Sequence, residues 1–275
     1  TTASDRTVIL GRLSAAMTAG LIVGPSLAGF LSAEIGSYGI GLLGAGASAI
    51  GALIVGLFAK MAIGTGQPAA KRKSFSLLRE VPVLLPLITV AAIAWFALAM
   101  LEGTFGRLIE ANLGYGPREF GLIFSFESVI GLVVQGLLLA WLAKRFSDRV
   151  LLATAYILLG IGVSLMAVAP GFGWLLLTGA FFAGGLAIAN PTVSGLCSKA
   201  VPEDRQGELF GILQSARSVG FVLGPLIGGA LFDWRATAPY FLAGIVCAVA
   251  AGLILLLKTD PSQVSKQEPM ATSGG

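Results

Sequence analysis

The chain has 275 residues, of which 56% are hydrophobic and only 12% charged, with a formal net charge of +4 and no histidine. Soluble domains carry about 25% charged residues, so a water-facing surface cannot be built here and a soluble globular fold is excluded. The absence of histidine removes the commonest metal ligand and proton shuttle. The two cysteines, Cys197 and Cys247, lie in or beside separate apolar runs, where thiols pack as small hydrophobes. No metal site, cofactor or disulfide is expected.

Apolar runs define the elements. Residues 14–32, 35–59, 81–101, 150–198 and 236–257 contain no Asp, Glu, Lys or Arg; 120–143 contains only Glu127, and 209–232 only Arg217. A helix needs about 20 apolar residues to cross a bilayer. The run 150–198 is too long for one crossing and breaks at Pro170-Gly171-Phe172-Gly173, so it holds two. Eight spans follow: 9–32, 37–59, 83–112, 118–142, 150–169, 174–196, 208–232 and 237–258. They are uniformly apolar, unlike alternating barrel strands, and helices satisfy their own backbone in lipid. The expected class is an all-α membrane protein.

Lys and Arg give the sidedness. With both termini on one side, that side carries fourteen of them; the other carries Arg107, Arg118 and Arg235. The positive-inside rule then makes both termini cytoplasmic. The net charge reflects this topology and makes no case for nucleic acid. The gap 60–82, with its basic Lys71-Arg72-Lys73, reads as a cytoplasmic linker, and the polar tail 259–275 as disordered.

Spans one and seven are related. Residues 11–31 and 211–231 share eight of twenty-one identities without a gap, including Gly24-Pro25 and Gly224-Pro225. Small residues recur at every fourth position: Ala16, Gly20, Gly24 and Ala28, then Ala216, Gly220, Gly224 and Gly228. That spacing makes one small-residue face, which lets helix backbones approach closely in lipid. Pro25 and Pro225 each remove a backbone donor and are expected to bend their helices. Internal repeats typify secondary transporters. Copies six helices apart imply a twelve-helix parent of two six-helix bundles. Residues 1–59 are then the last two helices of the first bundle, and 83–258 the complete second bundle. Four further helices of the same parent are expected ahead of Thr1.

These features resemble the major facilitator superfamily, and within it the drug:proton antiporters of the tetracycline and multidrug efflux type. Gly20, Gly24, Pro25 and Gly29 match the antiporter pattern Gly-xxx-Gly-Pro-xx-Gly-Gly of that group's fifth helix, with Ala28 in place of one glycine. Gly220, Gly224, Pro225, Gly228 and Gly229 match it fully. Leu142 to Arg149 resembles a degenerate copy of the family's cytoplasmic loop Gly-x-Leu-Ala-Asp-Arg-x-Gly-Arg-Arg. Leu142, Ala143, Arg145 and Arg149 fit, with Asp148 beside them, while Lys144 and Ser147 depart from it. Val201 to Leu209 resembles the loop before the eleventh helix, and Asn190-Pro191 the tenth-helix proline. The resemblance implies helices five to twelve of the fold.

Ionisable and polar groups inside spans are the candidate site. A charge in a bilayer costs about 2.5–3.5 kcal/mol on insertion scales, so such residues read as functional. Glu127 lies near mid-depth of span four, on a stripe with Phe124, Gly131 and Gln135 at helical spacing. It is the candidate for binding a proton or a cationic substrate; the alternative is a neutral acid hydrogen-bonded to a neighbouring helix. Arg217 lies in span seven on a stripe with Gln214 and Phe221, placed to pair with Glu127 or with an acid outside this chain, or else to snorkel to the interface. Glu102 joins the cavity if span three runs on to the Leu113-Gly114 turn; Arg107 and Glu110 then sit at the outer mouth. Gln135, Asn190 and Gln214 are helix glue or substrate contacts. Trp95, Phe96, Phe124 and Phe126 are candidates for a drug-pocket floor.

The expected function is proton-coupled export of a small amphipathic molecule by alternating access. Its expected partners are that molecule, protons, the lipid bilayer of the cell (inner) membrane and the missing helices. A facilitator or uptake transporter of the same fold, and a non-transporting truncated membrane protein, are the competing readings. No nucleophile–base pair or metal-ligand cluster supports an enzyme.

Overall fold

The helices begin and end where the sequence places its breakers. The structure is a computed structural model that describes residues 20, 24, 27–29, 31, 34–36, 38–57, 76–202 and 205–256. Most of the expected span 9–32, Pro25, most of the linker, Glu203, Asp204 and the tail 259–275 lie outside the described residues. The elements are α1 (Tyr38–Leu57) and α4 (Pro117–Arg145), α2 (Ser76–Glu80), α3 (Leu84–Leu113), α5 (Asp148–Met166), α6 (Phe172–Lys199), α7 (Gln206–Trp234) and α8 (Ala238–Leu256). Seven of them, all but α2, are long and apolar enough to cross a membrane, and no strand occurs among the described residues. The chain is a multi-pass, all-α membrane protein.

Local chemistry explains the ends. α3 runs through Glu102 to Leu113 and stops at Gly114, whose φ of 68° is left-handed and suits glycine. Pro117 opens α4 at a position where a missing N–H costs nothing, and the Glu119 carboxylate accepts the Gly116 N–H at 2.9 Å. Ser147 caps α5 by accepting the Val150 N–H at 3.4 Å. The Gln206 amide donates to the Ser198 and Val201 carbonyls at 2.9 and 2.7 Å, tying the end of α6 to the start of α7. Pro191 and Pro225 lie inside α6 and α7, and both helices continue through them.

Two departures from the expected layout matter. The linker is not featureless: its end forms α2, with Leu77 fully buried. The 3.6-residue periodicity gave no hint of this single apolar turn beside basic residues. Second, α4 contains a π-helical turn at Val134–Leu138. Such a turn widens the helix locally, and Gln135 lies within it, eight residues on from Glu127. Glu127 is buried while Gln135 is exposed.

Packing is led by α3 against α7, with α5 against both α6 and α8, and α4 against α6. Several buried hydroxyls are satisfied within the helix bundle, whereas the Thr237 hydroxyl is buried without a partner. Tyr156 donates to the Val90 carbonyl. Thr104 bonds the Met100 carbonyl at 2.8 Å and the Tyr240 hydroxyl at 3.1 Å. α4 and α7 bury less of their apolar windows than α3, α5 and α6, and α1 buries none of its window among the described residues. The two helices carrying Glu127 and Arg217 therefore keep the most open faces among α3 to α8.

Candidate functional site

Close helix contacts set the site's frame. A methyl on Gly220 would lie 2.8 Å from the Phe96 nitrogen, and one on Gly224 would lie 2.8 Å from both the Ala99 Cβ and the Met100 nitrogen. Gly228 faces the Met100 Cγ at 2.8 Å, and Gly103 on α3 meets the Pro225 Cβ at 3.2 Å. The small-residue face of α7 is thus the seat of α3. Gly229 belongs to the same pattern yet has nothing within 4 Å. In the earlier copy, Gly20 and Gly24 are open, whereas Gly29 is buried and faces the Gly121 Cα and Pro117 carbonyl of α4 at 2.9 Å.

Within this frame α3, α4 and α7 bring three ionisable side chains into one region. The Glu102 carboxyl is close enough to interact electrostatically with both Glu127 and Arg217. Arg217 forms no ion pair with Glu127 among the described residues. Its guanidinium carbon instead sits 4.1 Å from the centre of the Trp95 ring and 5.4 Å from that of Phe221. Those rings are themselves 5.8 Å apart. This is a cation–π arrangement across the α3–α7 seam. Trp95 and Glu102 are two turns apart on α3 and share a face.

Glu127 is 7% exposed, and its Oε1 is buried without a hydrogen-bond partner. It lies against Gly179 of α6, where an added methyl would come within 2.7 Å of Oε1. A polar atom buried without a partner costs about 1–3 kcal/mol. Among the described residues Oε1 makes no hydrogen bond to a neighbouring helix.

The remaining candidates spread out. Gln214 and Gln135 are exposed, one on α7 and one in the π-helical turn; Asn190 is half-buried on α6, just before Pro191. Phe124 stacks on Phe120 at 4.5 Å, and both lie about Phe105 at 6.0 and 5.9 Å. That aromatic group stands nearer the Gly114 turn than Glu102 does. Arg107 pairs with Asp233 at 3.0 Å and covers the Phe232 ring at 4.5 Å, closing the same end of α3 and α7.

At the opposite end, Asp148 of the degenerate loop bridges to Lys199 at 2.8 Å, joining the start of α5 to the end of α6. Arg145 lies 5.3 Å from the Trp141 ring centre, and the Arg149 Nη2 is buried without a hydrogen-bond partner. Arg205 bonds Glu208 at 2.9 Å and also Glu80 of α2.

Sequence reasoning missed Gly179, the Trp95–Arg217 pairing and α2. The aromatic partner was visible only as one of several candidate rings. Gly179 stands among many small residues of α6 and carries no mark of its own until α4 is packed against it.

Comparison with known proteins shows the family. The model of the Major Facilitator Superfamily matches residues 103–273. Multidrug resistance protein 2 of Bacillus subtilis (strain 168) is 27% identical over 270 residues, covering 94% of this chain and 66% of its own length. Quinolone resistance protein NorA of Staphylococcus aureus (strain MRSA252) is 26% identical over 263 residues, with the same coverage. Tetracycline resistance protein, class D, of Salmonella ordonez is 26% identical over 274 residues, covering 96% of this chain and 68% of its own length. The chain spans about two thirds of the length of these relatives.

Proposed function

This chain belongs to the major facilitator superfamily, and from that premise we propose that it is part of a drug exporter that exchanges protons for a small amphipathic molecule by alternating access. The observation that carries the reading is Glu127, a carboxyl buried in a helix seam with an oxygen that no protein group satisfies. An unpaired charge in such a place is costly. A proton or a cation taken up and released at this position changes the charge of the seam, which is what coupling requires. The drug-resistance names of the relatives support the substrate class.

In this reading Glu102 links the two halves of the site, interacting with Glu127 on one side and Arg217 on the other. Trp95 and Phe221 give Arg217 an aromatic bed and offer a planar substrate a stacking surface. Gln135, Asn190 and Gln214 contribute polar contacts. Residues 1–59 end one bundle and 83–258 form the other, and the two rock about this region. The protein lies in the inner membrane with both termini cytoplasmic, as the Lys and Arg distribution implies.

The test is export of an aromatic amphiphile from cells expressing the full-length protein, with and without a proton gradient, comparing Glu127→Gln with wild type. The reading expects gradient-dependent export that the substitution abolishes. Export that ignores the gradient in wild type would identify a facilitator instead.

A further inference from the structure

We propose that Gly179 is a positioning residue for Glu127: it leaves in α6 the space that the carboxyl occupies, and so sets where the proton is held. This deepens the reading of Glu127 as the coupling acid and rests on it.

The geometry is specific. A methyl built on Gly179 would meet Oε1 of Glu127 at 2.7 Å, its Cγ at 3.1 Å and its Cδ at 3.4 Å. All three nearest atoms belong to that one side chain. Separations below about 3 Å are inside the van der Waals contact of carbon and oxygen, so something must move.

Helix α6 cannot be what moves. On the adjacent face of α6, Gly162 of α5 closes on the α6 backbone. A methyl on Gly162 would lie 2.5 Å from the Phe182 nitrogen and 2.8 Å from the Thr178 carbonyl. One turn further, Gly185 is equally tight against the Ala155 carbonyl, at 2.6 Å, and the Leu159 nitrogen, at 2.7 Å. α6 is pinned against α5 backbone to backbone. The Glu127 side chain is the flexible party, so an alanine at 179 displaces the carboxyl and leaves the helices in place.

The space is steric rather than a hydrogen-bonding cradle. The neighbouring Thr178 hydroxyl already donates back to the Trp174 and Leu175 carbonyls, at 2.9 and 3.3 Å. Oε1 is left without a donor. Gly179 therefore holds the acid in a place where, among the described residues, no donor reaches Oε1 and taking up a proton removes its charge.

The experiment compares Gly179→Ala, Glu127→Gln, the double variant Gly179→Ala/Glu127→Asp, Gly185→Ala and Gly195→Ala in the full-length protein reconstituted in liposomes. Gly195 has nothing within 4 Å and serves as the control on the same helix. The pH dependence of proton-driven transport of an aromatic amphiphile is recorded with the thermal midpoint. Gly179→Ala is expected to move the pH profile by about one unit, the scale on which a changed environment acts on an acid, with its thermal midpoint near that of wild type. The double variant is expected to move the profile back, because the shorter acid withdraws from the added methyl. Gly195→Ala is expected to change neither readout.

A wild-type pH profile in Gly179→Ala, beside a Glu127→Gln variant that has lost coupling, overturns this inference alone. So does a thermal midpoint that falls as far as in Gly185→Ala, since Gly179 would then serve helix packing. Intact coupling in Glu127→Gln defeats the reading of Glu127 itself, and this inference falls with it.

Discussion

The Arg217 guanidinium lies over the Trp95 ring, its carbon 4.1 Å from the ring centre, so α7 and α3 are joined by a cation stacked on an aromatic face. Such contacts are worth about 0.5–2 kcal/mol, more where water is excluded. Lysine lacks the planar fork that stacks. Arg217→Lys is therefore expected to lower kcat/KM for an aromatic substrate about as much as Trp95→Leu does, by up to about tenfold at 1.4 kcal/mol per decade. The double variant is expected to lose little more than either single one. Additive losses in the double-mutant cycle would show that the two residues act separately.

The glycines of the α7 face are not equivalent. Gly224→Ala puts a methyl 2.8 Å from the Met100 nitrogen, a backbone atom that cannot turn aside. Overpacking of this kind costs about 1–3 kcal/mol, and thermal unfolding in detergent should register it. Gly229→Ala meets nothing within 4 Å and should leave stability unchanged or improve it by up to about 1 kcal/mol through helix propensity.

Arg205 ties α2 to α7 through Glu80 and Glu208. Hydrogen bonds first to Glu208 and then to Glu80 push the Arg205 guanidinium above its ordinary pKa, so it stays charged at any working pH. Arg205→Ala is expected to speed amide exchange in residues 76–80 several-fold, while exchange in α5 stays as it was. Unchanged exchange in α2 would mean that burial of Leu77 alone fixes it.

Both native cysteines are fully buried, so neither competes with an introduced surface thiol. Lys144→Cys is expected to react with a membrane-impermeant maleimide only from the cytoplasmic side, and Arg235→Cys only from outside. The reverse pattern would overturn the orientation read from Lys and Arg.

Most of the fold was legible because lipid imposes simple rules. The expected spans placed α1 and α3 to α8 to within three residues at each end, since a span must be long, apolar and helical. The Leu113-Gly114 turn marked where α3, run on past Glu102, would end. Interactions at one-residue resolution were not legible. The π-helical turn at Val134–Leu138, which holds Gln135, follows no pattern of residue types. The repeat predicted a shared glycine face but could not say that Gly224 seats α3 while Gly229 touches nothing. Glu127 stood out as the one charge in its run; the glycine opposite it did not, because an absent side chain leaves no sign in the sequence.

The central claim is that Glu127 carries the proton that drives export. It is tested most directly in liposomes containing the full-length protein and a trapped pH indicator. An outward gradient of an aromatic amphiphile is imposed, and proton movement is followed with substrate flux. Wild type is expected to move protons against the substrate, and Glu127→Gln to show no proton movement coupled to flux. Undiminished proton countermovement in Glu127→Gln would contradict the account.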